Sequence, residues 1–137
     1  MQFCILIFDI YYYAPPPQPS FSAPIIHKTY DFYLSWHLIS KTLPKIDRYC
    51  LGTKCDNLIV DFFILLFKAN RKYNYERINL LNTASDQLDL LKVIIRLLKD
   101  SSAIEEKEYL LLQIQIQEIG CQLGGWIKNP QKKNSAD

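Results

Sequence analysis

Glycine is scarce: four residues in 137, with no phosphate-cradling loop among them. The four cysteines, Cys4, Cys50, Cys55 and Cys121, form no C-x-x-C, and the pair Cys50 and Cys55 has no second pair at zinc-finger spacing. Their sparse use suits a reducing, cytoplasmic setting, with Cys55 and Cys121 as small core residues. Histidine is rarer still. His27 and His37 stand in no nucleophile, metal or acid–base pattern, so no enzyme, no metal and no cofactor are expected. Long apolar runs are missing as well. The longest, 58–67, contains Asp61 and falls short of the ~20 residues that span a bilayer, so no membrane partner is expected. The apolar stretch 3–8 has no Lys or Arg before it and runs into Asp9 and YYYAPPPQP, which is not the pattern of a signal peptide. The net charge of +2 is small, so affinity for a polyanion has to come from local clustering.

Proline, by contrast, is concentrated. Five of the seven prolines lie in residues 10–24, which predicts an extended N-terminal tail over 1–26 without a packed helix. A single domain should follow over 27–128, with a polar tail over 129–137. Apolar residues make up 49% and charged ones 22%, ordinary values for a globular chain of this length.

From Tyr30 onward the apolar pattern is helical. Phe32, Trp36, Ile39, Leu43 and Ile46 step by four and three along a first helix, which Pro44 should end or kink near Leu43. Gly52 is expected to turn the chain, and Thr53 with Asp56 resembles a capping box opening a second helix. Cys55, Leu58, Phe62, Leu65 and Ala69 would form its stripe. Residues 70–75 are polar and predict a loop, with Asn74 as N-cap. The third helix, about 76–99, carries Leu81, Ala84, Leu88, Leu91, Ile95 and Leu98 and should be roughly 35 Å long at 1.5 Å per residue. Ser102 and Glu105 suggest another capping box opening the fourth.

That last segment first looks strand-like, because LQIQIQ (112–117) alternates. The alternation covers six residues and is spoiled at once by Leu110 and Leu111. Tyr109, Leu112, Ile116, Ile119, Leu123 and Trp126 keep a helical step throughout, so a helix is predicted. Gly120 and Gly124 are expected to admit another backbone closely, and Trp126 to close one end of the core. Four helices of similar length with short connections imply an all-α, antiparallel, up-down-up-down four-helix bundle. Ile59, Phe63 and Leu66 lie beside the second stripe, and Leu90, Ile94 and Leu97 beside the third. These six are either an oligomer interface or simply a wide core-facing stripe.

Charge is polarised along the chain. Lys68, Arg71, Lys72, Arg77, Lys92, Arg96 and Lys99 face only Glu76, Asp86 and Asp89 between 68 and 99, leaving +4 there, whereas 105–118 carries −3. Tyr73 and Tyr75 are interleaved with the basic loop residues. Cations beside aromatics can grip phosphates and stack on unpaired bases, which makes these seven the candidate nucleic-acid-binding residues. A solvated helix face, with Asp89 pairing Lys92, is the alternative.

LPKIDRYCLGTK (43–54), LDLLKVIIRLLKD (88–100) and YLLLQIQIQEIGCQLGGWIK (109–128) are similar to the four-helix-bundle family of the accessory variability determinant, Avd. These proteins accompany the reverse transcriptases of diversity-generating retroelements. The same superfamily includes proteins encoded by intervening sequences of large-subunit ribosomal RNA genes. The ending EIGxxLGGWIK is the most specific motif, and the resemblance runs from about His27 to Lys128, leaving 1–26 unmatched. It implies a non-enzymatic, ring-like homo-oligomer, pentameric in the best-known members. Such a ring binds nucleic acid and a reverse transcriptase, and supports mutagenic copying of a template RNA through an RNA–DNA hybrid. It also implies that the family's basic surface maps onto Arg71, Lys72, Arg77, Lys92, Arg96 and Lys99. The net charge of +2 departs from a strongly basic member. Two other functions stay open: a protein-interaction scaffold without nucleic-acid binding, and a ribosomal-RNA intervening-sequence-type bundle.

Overall fold

The computed structural model describes residues 23–129, and the expectations for 1–22 and 130–137 lie outside it. Helix α1 spans Pro24–Ser40. Helix α2 is one continuous run of three parts: α-helical Lys45–Asp47, π-helical Arg48–Gly52 and α-helical Thr53–Asn70. Helix α3 covers Asn74–Asp100 and α4 covers Glu106–Lys128. The connections 41–44, 71–73 and 101–105 are short enough to leave successive helices antiparallel, and α4 closes the ring against α1. Between neighbouring helices the packing is heaviest for α2 and α3 and thinnest for α1 and α2. This is the all-α four-helix bundle that the periodicity predicts.

The stripes meet on the bundle axis. Phe32 and Trp36 of α1, Cys55, Leu58 and Phe62 of α2, the six predicted residues of α3, and Leu112, Ile116, Ile119 and Leu123 of α4 are all buried. Such apolar burial, about 1.5–3 kcal/mol for a fully covered large side chain, is the main source of stability. Several polar groups at this core find partners within the bundle. The Trp36 indole N–H donates to Asp56 at 2.8 Å, tying α1 to α2, and the Thr29 hydroxyl donates to the Ile25 carbonyl at 2.7 Å. Gln115 donates to Ser35 at 3.0 Å and Lys28 pairs with Glu118 at 3.0 Å, which fixes the antiparallel register of α1 and α4.

Several local expectations give way. Helix α1 begins at Pro24, where a fixed φ and a missing N–H suit the first helical position. Ile25 and Ile26 are therefore core residues, and the bundle starts before residue 27. Gly52 does not turn the chain. It lies inside the helix at φ −60°, where a Cβ would stand 3.2 Å from the Asp47 carbonyl oxygen and 3.3 Å from a Leu43 methyl. Thr53 is no cap either, since its hydroxyl donates to the Arg48 carbonyl at 3.1 Å across the π turn. Ile46 falls beyond Pro44, in the first turn of α2, where it is exposed, and α1 ends at Ser40, so Leu43 is buried from the loop.

At the other connections, Asn74 does not cap α3. It is the first helical residue, held at φ 53°, a region that Asn tolerates better than most. Ser102 is not the cap of α4 but the end of α3. At φ 62° it sends its N–H to Lys99 and lets Ala103 reach the Leu98 carbonyl at 2.8 Å, a Schellman closure. The N-cap of α4 is Glu105, without a side-chain capping bond. Leu65 is half-buried beside the fully buried Leu66. Cys121 is exposed, whereas Cys55 is buried and its thiol pKa is pushed up to about 12 by burial and by Asp56.

Candidate nucleic-acid interface

The seven cations do not form one face. Lys68, Arg71 and Lys72 gather where α2 hands over to α3, while Lys92, Arg96 and Lys99 lie toward the far end of α3. At ~1.5 Å per residue the two groups stand roughly 30 Å apart along the helix.

Arg77 belongs to neither group. It is buried, at 7% exposure, with an Nη1–H donating to the Ala69 carbonyl at 2.7 Å and its guanidinium 4.9 Å from the centroid of Trp126. Desolvation by burial lowers its pKa. It ties the C-terminal end of α2 to α4 and cannot meet a phosphate, so the sequence-based assignment of Arg77 to a binding surface is corrected.

Of the other cations, Lys68, Arg71, Lys72 and Arg96 are exposed and Lys92 and Lys99 half-buried, and most are already paired. Lys72 pairs with Glu76 at 3.1 Å, Lys92 with Asp89 at 3.1 Å, and Arg96 with Asp100 at 3.0 Å, which raises the Arg96 pKa. Lys99 pairs with Glu106 at 3.2 Å and lies 4.7 Å from the Tyr109 ring centroid. Exposed pairs of this kind are worth about 0–1 kcal/mol, so a phosphate can displace the carboxylate at little cost. Among the described residues, Lys68 and Arg71 have no ion-pair partner. Together with Lys72, Glu76, Asn79 and Leu80 they line a groove of about 600 Å³. Tyr73 and Tyr75 stand in the adjoining connection and first turn, 53% and 83% exposed.

A second groove, about 730 Å³, runs between α3 and α4 past Leu88, Lys92, Ile114, Gly120 and Gly124. A Cβ on Gly120 would make only an ordinary 3.7 Å contact with Leu88, and one on Gly124 would meet nothing within 4 Å. The two glycines open this groove and do not seat a neighbouring backbone within the subunit. No group of three or more His, Cys, Asp or Glu residues that could hold a metal occurs among the described residues, and no helix there is long and apolar enough to cross a membrane.

The motif-bearing segments, 43–54, 88–100 and 109–128, thus lie on three helices of one bundle. A family model described as bAvd-like matches residues 25–130, from the first buried residue of α1 to just past the end of α4. The chain belongs to the bAvd-like family. It is accordingly a protein of the Avd accessory type, a family that is not catalytic. No curated protein matches it.

Within this bAvd-like bundle the six candidate interface residues divide. Ile59, Leu66 and Ile94 are 1%, 0% and 4% exposed and belong to the subunit's own core. Phe63 is half-buried and stacks on Phe67 with ring centroids 6.3 Å apart. Leu90 and Leu97 remain outside, and with Val93 they form an exposed stripe at helical spacing on α3. Asn79 and Leu80 are groove residues that charge counting misses. Their only sequence signal is a spacing of three and four from Glu76, which places them on one helical face.

Proposed function

We propose that this protein is a non-enzymatic, nucleic-acid-binding accessory factor that partners a reverse transcriptase in diversity-generating retroelement mutagenesis. It acts as a ring-shaped homo-oligomer, a pentamer, and it works in the cytoplasm on template RNA or on an RNA–DNA hybrid. The bAvd-like match across the whole bundle carries this proposal. The exposed cations at both ends of α3 support it. Each subunit offers a few phosphate contacts, weak alone, and repetition around a ring multiplies them through effective concentration.

A salt series with an RNA–DNA hybrid tests it. Binding should be measurable in low salt and fall steeply as salt rises, with a log–log slope of about −0.9 per phosphate contact on B-DNA as the yardstick. Replacing Arg71, Lys72, Lys92 and Arg96 together with Gln should flatten the slope and abolish binding while the helical circular-dichroism signal stays. A wild-type protein that binds no nucleic acid in low salt overturns the proposal.

The intrachain pairing of Lys72, Lys92, Arg96 and Lys99 favours a second function, a protein-interaction scaffold. A scaffold would bind no nucleic acid and would retain its protein partner in the quadruple variant. A ribosomal-RNA intervening-sequence-type protein would be distinguished by a gene lying inside a ribosomal RNA gene.

A further inference from the structure

We infer that the α2–α3 corner is a binding site for single-stranded nucleic acid, with Tyr73 and Tyr75 stacking on unpaired bases while Lys68 and Arg71 hold the adjoining phosphates. The inference rests on the nucleic-acid function proposed above and narrows it to one corner of the subunit and one form of ligand.

Three observations converge on this corner. Among the described residues Tyr75, at 83%, is the most exposed of the large apolar and aromatic side chains, and Tyr73 is 53% exposed. Tyr73 is in extended conformation at φ −128° and Asn74 at φ 53° turns the chain into α3, so the two tyrosines leave the backbone on either side of a sharp bend. Lys68 and Arg71, the two exposed cations of the candidate set without an ion-pair partner among the described residues, line the same groove. Elsewhere the exposed basic residues of α3 are held by Asp89, Asp100 and Glu106. The groove of about 600 Å³ between the two cations and α3 holds one carboxylate, Glu76, which Lys72 already neutralises. Asn79 on its wall offers both an amide donor and an acceptor for a base edge.

The chemistry selects single strands. In a duplex the base faces are stacked on one another, and an exposed phenol ring finds only sugar and phosphate. In an unpaired strand each base presents a face to an aromatic ring, whatever its identity. A cation pair confined to one corner also grips a flexible strand, which can bend into the groove, better than a stiff rod. An acidic protein would use the cations and leave the tyrosines without a specific partner.

The test is fluorescence anisotropy with a labelled oligouridylate of about 20 nucleotides against an RNA duplex of the same length, in low salt. Wild type should bind the single strand more tightly than the duplex. Tyr73→Ala/Tyr75→Ala should weaken single-strand binding at least roughly fivefold per stacked base and leave the duplex nearly unchanged. Tyr73→Phe/Tyr75→Phe should restore it, because the ring and not the hydroxyl makes the contact. Lys68→Gln/Arg71→Gln should weaken binding to the single strand and reduce its salt slope, more than Lys92→Gln/Arg96→Gln does. Both tyrosines are solvent-exposed, so unchanged thermal midpoints should accompany these losses. Equal or tighter duplex binding, with the alanine variant unaltered, overturns this inference and leaves the nucleic-acid function standing. A wild-type protein that binds neither probe nor the RNA–DNA hybrid overturns both.

Discussion

Arg77 shows how one residue can carry the wrong charge-map signal. Its neighbours Arg71 and Lys72 are exposed, but the helical phase of Arg77 matches that of Leu81, Ala84 and Leu88, so its stem enters the core. The guanidinium then has three places to go: the Ala69 carbonyl, the face of Trp126, and a buried position where its Nε finds no partner. A charge-assisted hydrogen bond contributes about 1.5–3 kcal/mol, and a desolvated cation–π contact up to about 2, against the cost of desolvating the charge. We predict that Arg77→Ala lowers unfolding stability by about 2–4 kcal/mol, measured by urea denaturation, since it leaves the Ala69 carbonyl only the longer bond from the Lys72 N–H at 3.3 Å and uncovers Trp126. Arg77→Lys should recover only part of this, because an ammonium cannot lie flat on the indole while capping Ala69. If Arg77→Ala unfolds at the wild-type midpoint, the residue is not the clamp described.

At the scale of elements, the most informative junction is the one between α3 and α4. Ser102 occupies the left-handed position that closes a Schellman motif, a conformation that costs an L-residue about 1–2 kcal/mol relative to glycine. Its side chain makes no hydrogen bond among those of the described residues. Ser102→Gly should therefore stabilise the bundle by about 0.5–1 kcal/mol after the extra chain entropy of glycine is offset, seen as a thermal midpoint a few degrees higher. A lower midpoint would mean that the serine contributes something the backbone does not show. Gly52 is the converse case. Its helical φ makes no demand for glycine, but a methyl group there would press on the Asp47 carbonyl at 3.2 Å and on Leu43 at 3.3 Å, so these neighbours would have to give by a few tenths of an ångström.

For the whole molecule, the exposed apolar residues decide the quaternary expectation. Leu90, Val93 and Leu97 on α3 and Val60 and Ile64 on α2 are each between 43% and 54% exposed, so in the proposed ring they, rather than the buried Ile59, Leu66 and Ile94, are the expected contacts. Positions spaced by three and four on an outer helical face suit a helix–helix seam. Light scattering at micromolar concentration should return a mass several times 16.1 kDa. Leu90→Lys/Leu97→Lys should shift it to the monomer without lowering the helix content. A wild-type monomer removes the ring, and with it the gain in affinity that repetition would bring.

Periodicity by itself determined the bundle. The steps of three and four in α3 and α4 repeat over many turns, and the core they mark on these helices is the one that forms. The opening alternation of LQIQIQ was too short to compete with them. Local signals were weaker guides to the ends of helices. Thr53–Asp56 and Ser102–Glu105 satisfy the capping pattern, yet the Thr53 hydroxyl donates to the Arg48 carbonyl in a π turn, and the backbone at Ser102 closes on the last carbonyls of α3, so neither side chain caps a helix start. The candidate site was legible only in part. The clustering of Lys68, Arg71 and Lys72 with Tyr73 and Tyr75 is local in sequence and survives folding. Whether a given cation is free is not local. A charge window closing at Lys99 leaves out Asp100 and Glu106, which neutralise Arg96 and Lys99, and although its helical phase turns Arg77 inward, only packing sets it over Trp126 across 49 residues of chain. Hydrophobic pattern is fixed by the repeat of a single helix, and so the sequence suffices for it. Charge pairing and burial depend on which helices become neighbours, and that was decided by the tertiary structure.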